Sequence, residues 1–173
     1  MLPKPPSCVV CPMYGDGKGY VPDKPCDGAE VAIVAQSPGA DEESGLRVIG
    51  MEYVGHRRIP QKEPNPTGPA PLIGMTGYDM ERDFFQLAGL QRSQVSLHNV
   101  LKCRWAPGGR RTNDMPSGKL LEQAVAHCTQ AHMKIPGSVR LLVTMGAHAA
   151  RWAGCPGSIT EWRGFTFPME AAA

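Results

Sequence analysis

Cys8 and Cys11, two residues apart and followed directly by Pro12, carry the sharpest chemical signal in this chain. Thiols in such pairs bind metal or do redox chemistry, and in a reducing compartment they are ligands more often than half-cystines. Cys103 closes an apolar, β-branched run, and Cys128 lies on the apolar side of the helical pattern that follows. A strand end and its crossover helix can face one corner of a sheet, where an N-terminal segment bearing the first pair could lie against them. Four thiolates suit either a [4Fe–4S] cluster or a tetrahedral zinc ion. Zinc ribbons commonly show two close pairs, whereas the second pair here is split, and a cysteine followed by proline is a feature of ferredoxin-type ligation. His132, four residues after Cys128, is a candidate zinc ligand or simply a partly buried polar residue. Cys26 and Cys155 read as small hydrophobes.

Other residues offer polar chemistry. The turn Gln36-Ser37-Pro38-Gly39 follows an apolar run, and its backbone N–H groups and glycine permit close approach of a phosphate or a base. Asn99, at the end of another run, presents an amide that can accept and donate at once, although most such residues merely cap turns. Lys102, Arg104, Trp105, Arg110 and Arg111 combine positive charge with an aromatic ring. That combination suits phosphate contact and base stacking, and equally a solvated basic loop. The string GDGKG at 15–19 lacks the spacing and preceding strand of a phosphate-binding loop and reads as a turn. No G-x-S-x-G elbow supports a serine nucleophile.

These residues need a frame to hold them. At 173 residues and 42% hydrophobic content, the chain suits one domain with a true core. Three segments read as buried parallel strands: 31–35 (VAIVA), 95–101 (VSLHNVL) and 139–145 (VRLLVTM). Helical patterns cover 78–90, with Phe84, Leu87 and Ala88 as the expected inner face, then 117–133 with Leu120, Leu121, Ala124, Val125 and Cys128, and finally 147–152. This alternation implies right-handed crossovers and an α/β fold, three-layer αβα around a central parallel sheet. Ligands then bind beyond the carboxyl ends of the strands, at 36–39, 98–104 and 146–148. Prolines and glycines punctuate 44–71, which reads as a long surface excursion without regular structure, and 106–116 reads as a second loop. The apolar stretches are strand-sized and no signal peptide is evident, so no membrane partner and an intracellular location are expected. A net charge of +2 gives no argument from bulk charge for nucleic-acid binding.

In order, the segments C-x-x-C-P, VAIVAQSPG-x-x-E, PLIGMTG, HNVLKCRW, a further Cys and LLVTMGAHA resemble the iron–sulfur uracil-DNA glycosylases, family 4 in particular, from residue 8 to about 150. They are also similar to the glycosylase-like domain at the start of some phage DNA polymerases. The resemblance implies a uracil-DNA glycosylase-like fold and a [4Fe–4S] cluster on Cys8, Cys11, Cys103 and Cys128, with zinc as the alternative. It implies uracil-containing DNA as partner, a fused or associated DNA polymerase as a second one, and the cytoplasm, or the host cytoplasm for a phage protein, as location. Asn99 matches the uracil-reading Asn. Gln36, Glu42 and Asn99 would be catalytic, Gln36, Ser37, Pro38, Gly39, Leu72 and Asn99 would bind the substrate, and Lys102, Arg104, Trp105, Arg110 and Arg111 would face DNA.

Three departures accompany the match. Gln36 stands where the family commonly has Glu, and a neutral amide can orient water but cannot act as a base. Leu72 stands where a phenylalanine usually stacks on uracil. The chain also stops before the family's late His-Pro-Ser-like motif and final strand. Residues 1–173 are therefore read as a single domain that is either naturally short or a fragment of a longer chain. The expected activity is weak hydrolysis of the N-glycosidic bond of a flipped uracil; the alternative is a catalytically impaired domain that binds DNA or a replication partner.

Overall fold

The computed structural model describes residues 1–109, 115–155, 158–162 and 164. In chain order the elements are β1 (Gly17–Tyr20), β2 (Val31–Ala35), α1 (Ala40–Ser44), β3 (Leu46–Val54), β4 (Arg57–Pro64), α2 (Met75–Met80), a π-helical turn (Glu81–Phe85), α3 (Gln86–Ala88), β5 (Val95–Asn99), β6 (Cys103–Trp105), α4 (Gly118–His132), β7 (Leu141–Met145), α5 (Ala147–Trp152) and α6 (Ile159–Trp162).

The apolar run of β2 makes it the middle strand of a parallel sheet in the order β5-β2-β7, with Val31 opposite Val95 and Leu141. Side chains alternate across a strand, so β2 supplies both faces. Ile33 and Ala35 join Val95, Leu97, Met80 and Phe85 on one side, while Val34 meets Val100, Ala149 and Trp152 on the other. Helices therefore flank a central parallel sheet, as the strand–helix alternation implies. The strand 95–101 ends two residues early, at Asn99, yet the Val100 and Leu101 N–H groups still donate to the Ala35 and Gln36 carbonyls.

Two expectations are corrected. The helical run from Met75 to Ala88 buries Met80 and Phe85, whereas Phe84 and Leu87 are 66% and 89% exposed. The π turn inserts a residue into the helix, which rotates the later side chains by about 100° away from the regular 3.6-residue stripe. The stretch 44–71 is not irregular either, since β3 and β4 form an antiparallel hairpin closed by a two-residue turn, with Val54 opposite Arg57. Pro60 and Pro64 sit in β4, which among the described residues pairs with β3 alone, and an edge strand tolerates residues without an N–H. A third sheet, β1 against β6, ties the N-terminal segment to Cys103, which pairs with Tyr20. No helix among the described residues is long and apolar enough to cross a membrane.

Candidate functional site

At the carboxyl edge of the sheet, Asn99 is held by its pairing with Ala35 in β2. Its backbone is well anchored: the carbonyl accepts from Lys102 Nζ at 2.5 Å, and the N–H donates to Asp23 Oδ1 at 3.4 Å. Its side chain is the opposite case. The residue is fully buried, and neither Oδ1 nor Nδ2 finds a hydrogen-bond partner among the described residues. A buried amide left unpaired costs about 1–3 kcal/mol per group, so such a residue is either a strain or a receptor waiting for a ligand.

Gln36, next to the end of β2, leans on the turn that follows β7. Its Oε1 accepts from the His148 N–H at 3.1 Å, and a side chain at Gly146 would come within 2.5 Å of Gln36 Cδ. Gly146 has φ +92, so glycine serves both the backbone and the close approach. Pro38 is buried, while Ser37 and Gly39 are partly exposed.

Glu42 is buried, not a solvated loop residue. Its Oε2 accepts from the Gly39 N–H at 2.6 Å and its Oε1 from the Leu72 N–H, so one carboxylate clamps two site loops. Burial pushes its carboxyl up to about 7 despite those two N–H groups and the nearby Arg92. Leu72 has φ +56, a conformation uncommon outside glycine, and its side chain is buried in the core with Ile33 and Phe85. Arg92 fixes this turn from the far side, its guanidinium donating to the Leu72 and Pro71 carbonyls and to Glu81. Gly77 is required beneath it, because a Cβ there would fall 1.6 Å from the Leu72 carbonyl oxygen. Nothing in the local sequence marks Arg92 as part of this brace.

The four cysteines singled out by sequence do converge. Cys8, Cys11, Cys103 and Cys128 line one cavity with Lys4, Leu101 and Lys102, and none is in a disulfide. The enclosed space is about 10 Å³, room for one water or one ion, and a four-iron cluster would need the side chains to move apart. The donor chemistry nevertheless fits a thiolate-bound metal centre. Burial raises Cys103 to about 12 and Cys128 to about 11, and raises Cys8 as well; Lys4 opposes this at Cys8 and Cys103, and the Lys102 backbone N–H opposes it at Cys128. Thiols in that state are neutral, and a bound cation supplies the charge that deprotonates them. Two histidines that close spacing did not select together also lie here: His132 Nε2 is 3.3 Å from Cys8 Sγ, and the donor atoms of Cys8, His127 and His132 all fall within 4.8 Å of one another. Cys26 lies elsewhere, its thiol donating to the Ser93 carbonyl at 3.0 Å.

The expected basic surface takes a different form. Lys102 is fully buried and faces inward, its ammonium 2.5 Å from Asp23 Oδ1, because the chain turns sharply after β5 and folds this side chain under Asn99. It is corrected from a DNA-facing residue to an interior cation. Arg104 pairs with Glu43 at 2.8 Å and is largely covered, and Trp105 is half-buried against the core cluster of Met13, Leu101, Ala124 and Cys128 with its Nε1 enclosed. Arg110 and Arg111 lie outside the described residues. His98 completes the interior group, its Nδ1 2.9 Å from Asp23 Oδ2, off the line a hydrogen bond needs, and its Nε2 3.0 Å from Ser96 Oγ.

No protein-family model matches the chain. A type-4 uracil-DNA glycosylase from Sulfurisphaera tokodaii is 23% identical over 151 residues, which is 84% of this chain. The chain spans about half of that relative's length, 53%. The motif order from Cys8 to the Gly146 turn, the helix-flanked parallel sheet and this similarity point the same way, to a distant, family-4-like similarity to the iron–sulfur uracil-DNA glycosylases.

Proposed function

We propose that this domain binds DNA and hydrolyses the N-glycosidic bond of a uracil flipped out of the strand. The observation that carries the reading is the buried, unpartnered amide of Asn99 at the carboxyl edge of the sheet. In this reading Asn99 Oδ1 accepts from uracil N3–H and Nδ2 donates to O4, so the amide is completed by the base. Cytosine reverses both polarities and would leave donor facing donor, which an amide held by β5 punishes. The backbone of Ser37 to Gly39 lies close to the base, and Leu72 gives apolar contact without a flat ring. Glu42 keeps the two loops together and, as a buried carboxyl poised at about 7, is the nearest candidate to orient water or oppose positive charge on the sugar. Gln36 positions the turn at His148 through its amide oxygen.

The cofactor in this reading is a [4Fe–4S] cluster on Cys8, Cys11, Cys103 and Cys128. When bound, it supplies cross-linking of the N-terminal segment to β6 and α4, with no electron transfer required. Uracil-containing DNA is the partner, and Arg110 and Arg111 remain candidates for the phosphates. A DNA polymerase, fused or associated, is the further partner suggested by the phage-domain resemblance.

A second reading, a catalytically impaired domain that binds DNA, is favoured by the engagement of both Glu42 oxygens and of the Gln36 amide oxygen in holding loops together. Single-turnover release of uracil from a labelled single-stranded oligonucleotide separates the two, using excess protein prepared without oxygen and checked for iron. Release that disappears in Asn99→Ala supports the hydrolase. Absence of release from iron-replete protein that still binds the oligonucleotide rules the hydrolase out and leaves the binding domain.

A further inference from the structure

We infer that Cys8, His127 and His132 form a second donor set, which takes a single divalent ion of the zinc class and shares Cys8 with the four-thiol set. The two sets cannot both be filled. Three observations support it independently of whether the domain releases uracil. Cys8 Sγ lies 3.3 Å from His132 Nε2, within the edge of a tetrahedral site, and all three donor atoms sit within 4.8 Å of one another, so closing on an ion takes a side-chain shift of about 1 Å. His127 Nε2 is enclosed and finds no hydrogen-bond partner among the described residues, an acceptor or donor left without an answer unless something binds there. The spacing also fits: Cys8-x-x-Cys11 and His127-x-x-x-x-His132 match the close pairs of Cys₂His₂ zinc sites, with the second pair at the end of α4.

The surroundings hold these groups in place. The His132 ring contacts Tyr20 and His127 edge-on, each at 5.5 Å, so its orientation is fixed from two sides. One thiolate and two imidazoles are a soft-to-borderline set that suits zinc or cobalt rather than magnesium or calcium. On binding, the Cys8 thiol gives its proton to solvent and the imidazoles bind as neutral ligands. Cys11 or a water takes the fourth position. The four-thiolate set takes either an iron–sulfur cluster or a zinc-class ion, so the two sets compete for zinc or cobalt and the histidine and cysteine variants below tell them apart.

The test is a cobalt(II) titration of the reduced, metal-free full chain, read by thiolate-to-cobalt charge transfer and by tetrahedral ligand-field bands. One equivalent should bind. His132→Gln and His127→Asn should each weaken binding by more than the roughly 10–100-fold typical of losing an outer partner, while Cys103→Ser with Cys128→Ser should leave it within about twofold. The reverse pattern, or no saturable band, overturns the inference. His132→Cys guards against a folding artefact: it should keep the tetrahedral bands and add the intensity of one more thiolate, and unchanged charge-transfer intensity also overturns it. Iron content and uracil release of oxygen-free wild-type protein report on the glycosylase reading separately, so either idea can fail alone.

Discussion

The sheet edge at Asn99 and the polar knot at Lys102, three residues apart, bury their side chains equally and meet opposite conditions. Lys102 is answered on two sides, by Asp23 and by the Asn99 carbonyl, although burial lowers its tendency to stay charged. Among the described residues, Asn99 is answered through its backbone alone. The difference separates two uses of buried polarity. The knot fixes the path of the chain as it leaves β5, and that fixed path makes the open amide beside it specific rather than merely unsatisfied.

The largest effect should come from breaking the knot. Lys102→Met leaves Asp23 buried without its cation and should cost about 3–5 kcal/mol in urea unfolding, much of it recovered when Asp23→Asn is added. A cost near zero would mean that the knot does not hold the Asn99 turn.

Glu42 sharpens the comparison through pH. Its carboxyl is raised from 4.5 to about 7 in the folded protein, so between those values the folded state holds a proton that the unfolded state has released. Stability from this group is therefore fully present below about 4.5 and is lost as pH rises to about 7, by about 3 kcal/mol, and is flat above. Urea unfolding from about pH 4 to about pH 8 should show that slope in the wild type and lack it in Glu42→Gln.

Arg92→Ala removes charged hydrogen bonds to the Leu72 and Pro71 carbonyls and should cost about 2 kcal/mol. Arg92→Lys should recover only part of it, because an ammonium lacks the fork that reaches both carbonyls. Arg92→Lys as stable as the wild type would show that charge alone, not the fork, holds the Leu72 turn.

The smallest expected effect is the most telling. Asn99→Leu replaces an unsatisfied buried amide by an apolar group of similar size and should leave stability within about 1 kcal/mol, or raise it. A loss comparable to that of Lys102→Met would show that the amide has an interior partner, and would remove the main support for a base-reading role.

Much of the frame was legible in the sequence because it rests on local patterns. VAIVA and VSLHN are apolar and β-branched enough to be buried strands whatever surrounds them, and Gly118–His132 keeps a 3–4-residue stripe ending at Cys128. The hairpin was not legible, since prolines read as breakers when the strand is an edge. Nor was the exposed Phe84–Leu87 face, because a π turn leaves little trace in the residue pattern.

By itself the sequence determined the donors and their order: the four thiols, the Gln36 turn and Asn99 from residue type and local pattern, and Glu42 and Leu72 from the family resemblance. Only the tertiary structure decided their partners. Lys102 turned inward to Asp23, 79 residues away, His132 met Cys8 across 124 residues, and Glu42 reached Leu72 across 30. Local patterns fix which face of an element a side chain occupies, but strand pairing and chain reversal fix what stands opposite it. At Asn99 they left both atoms of the amide without a partner among the described residues.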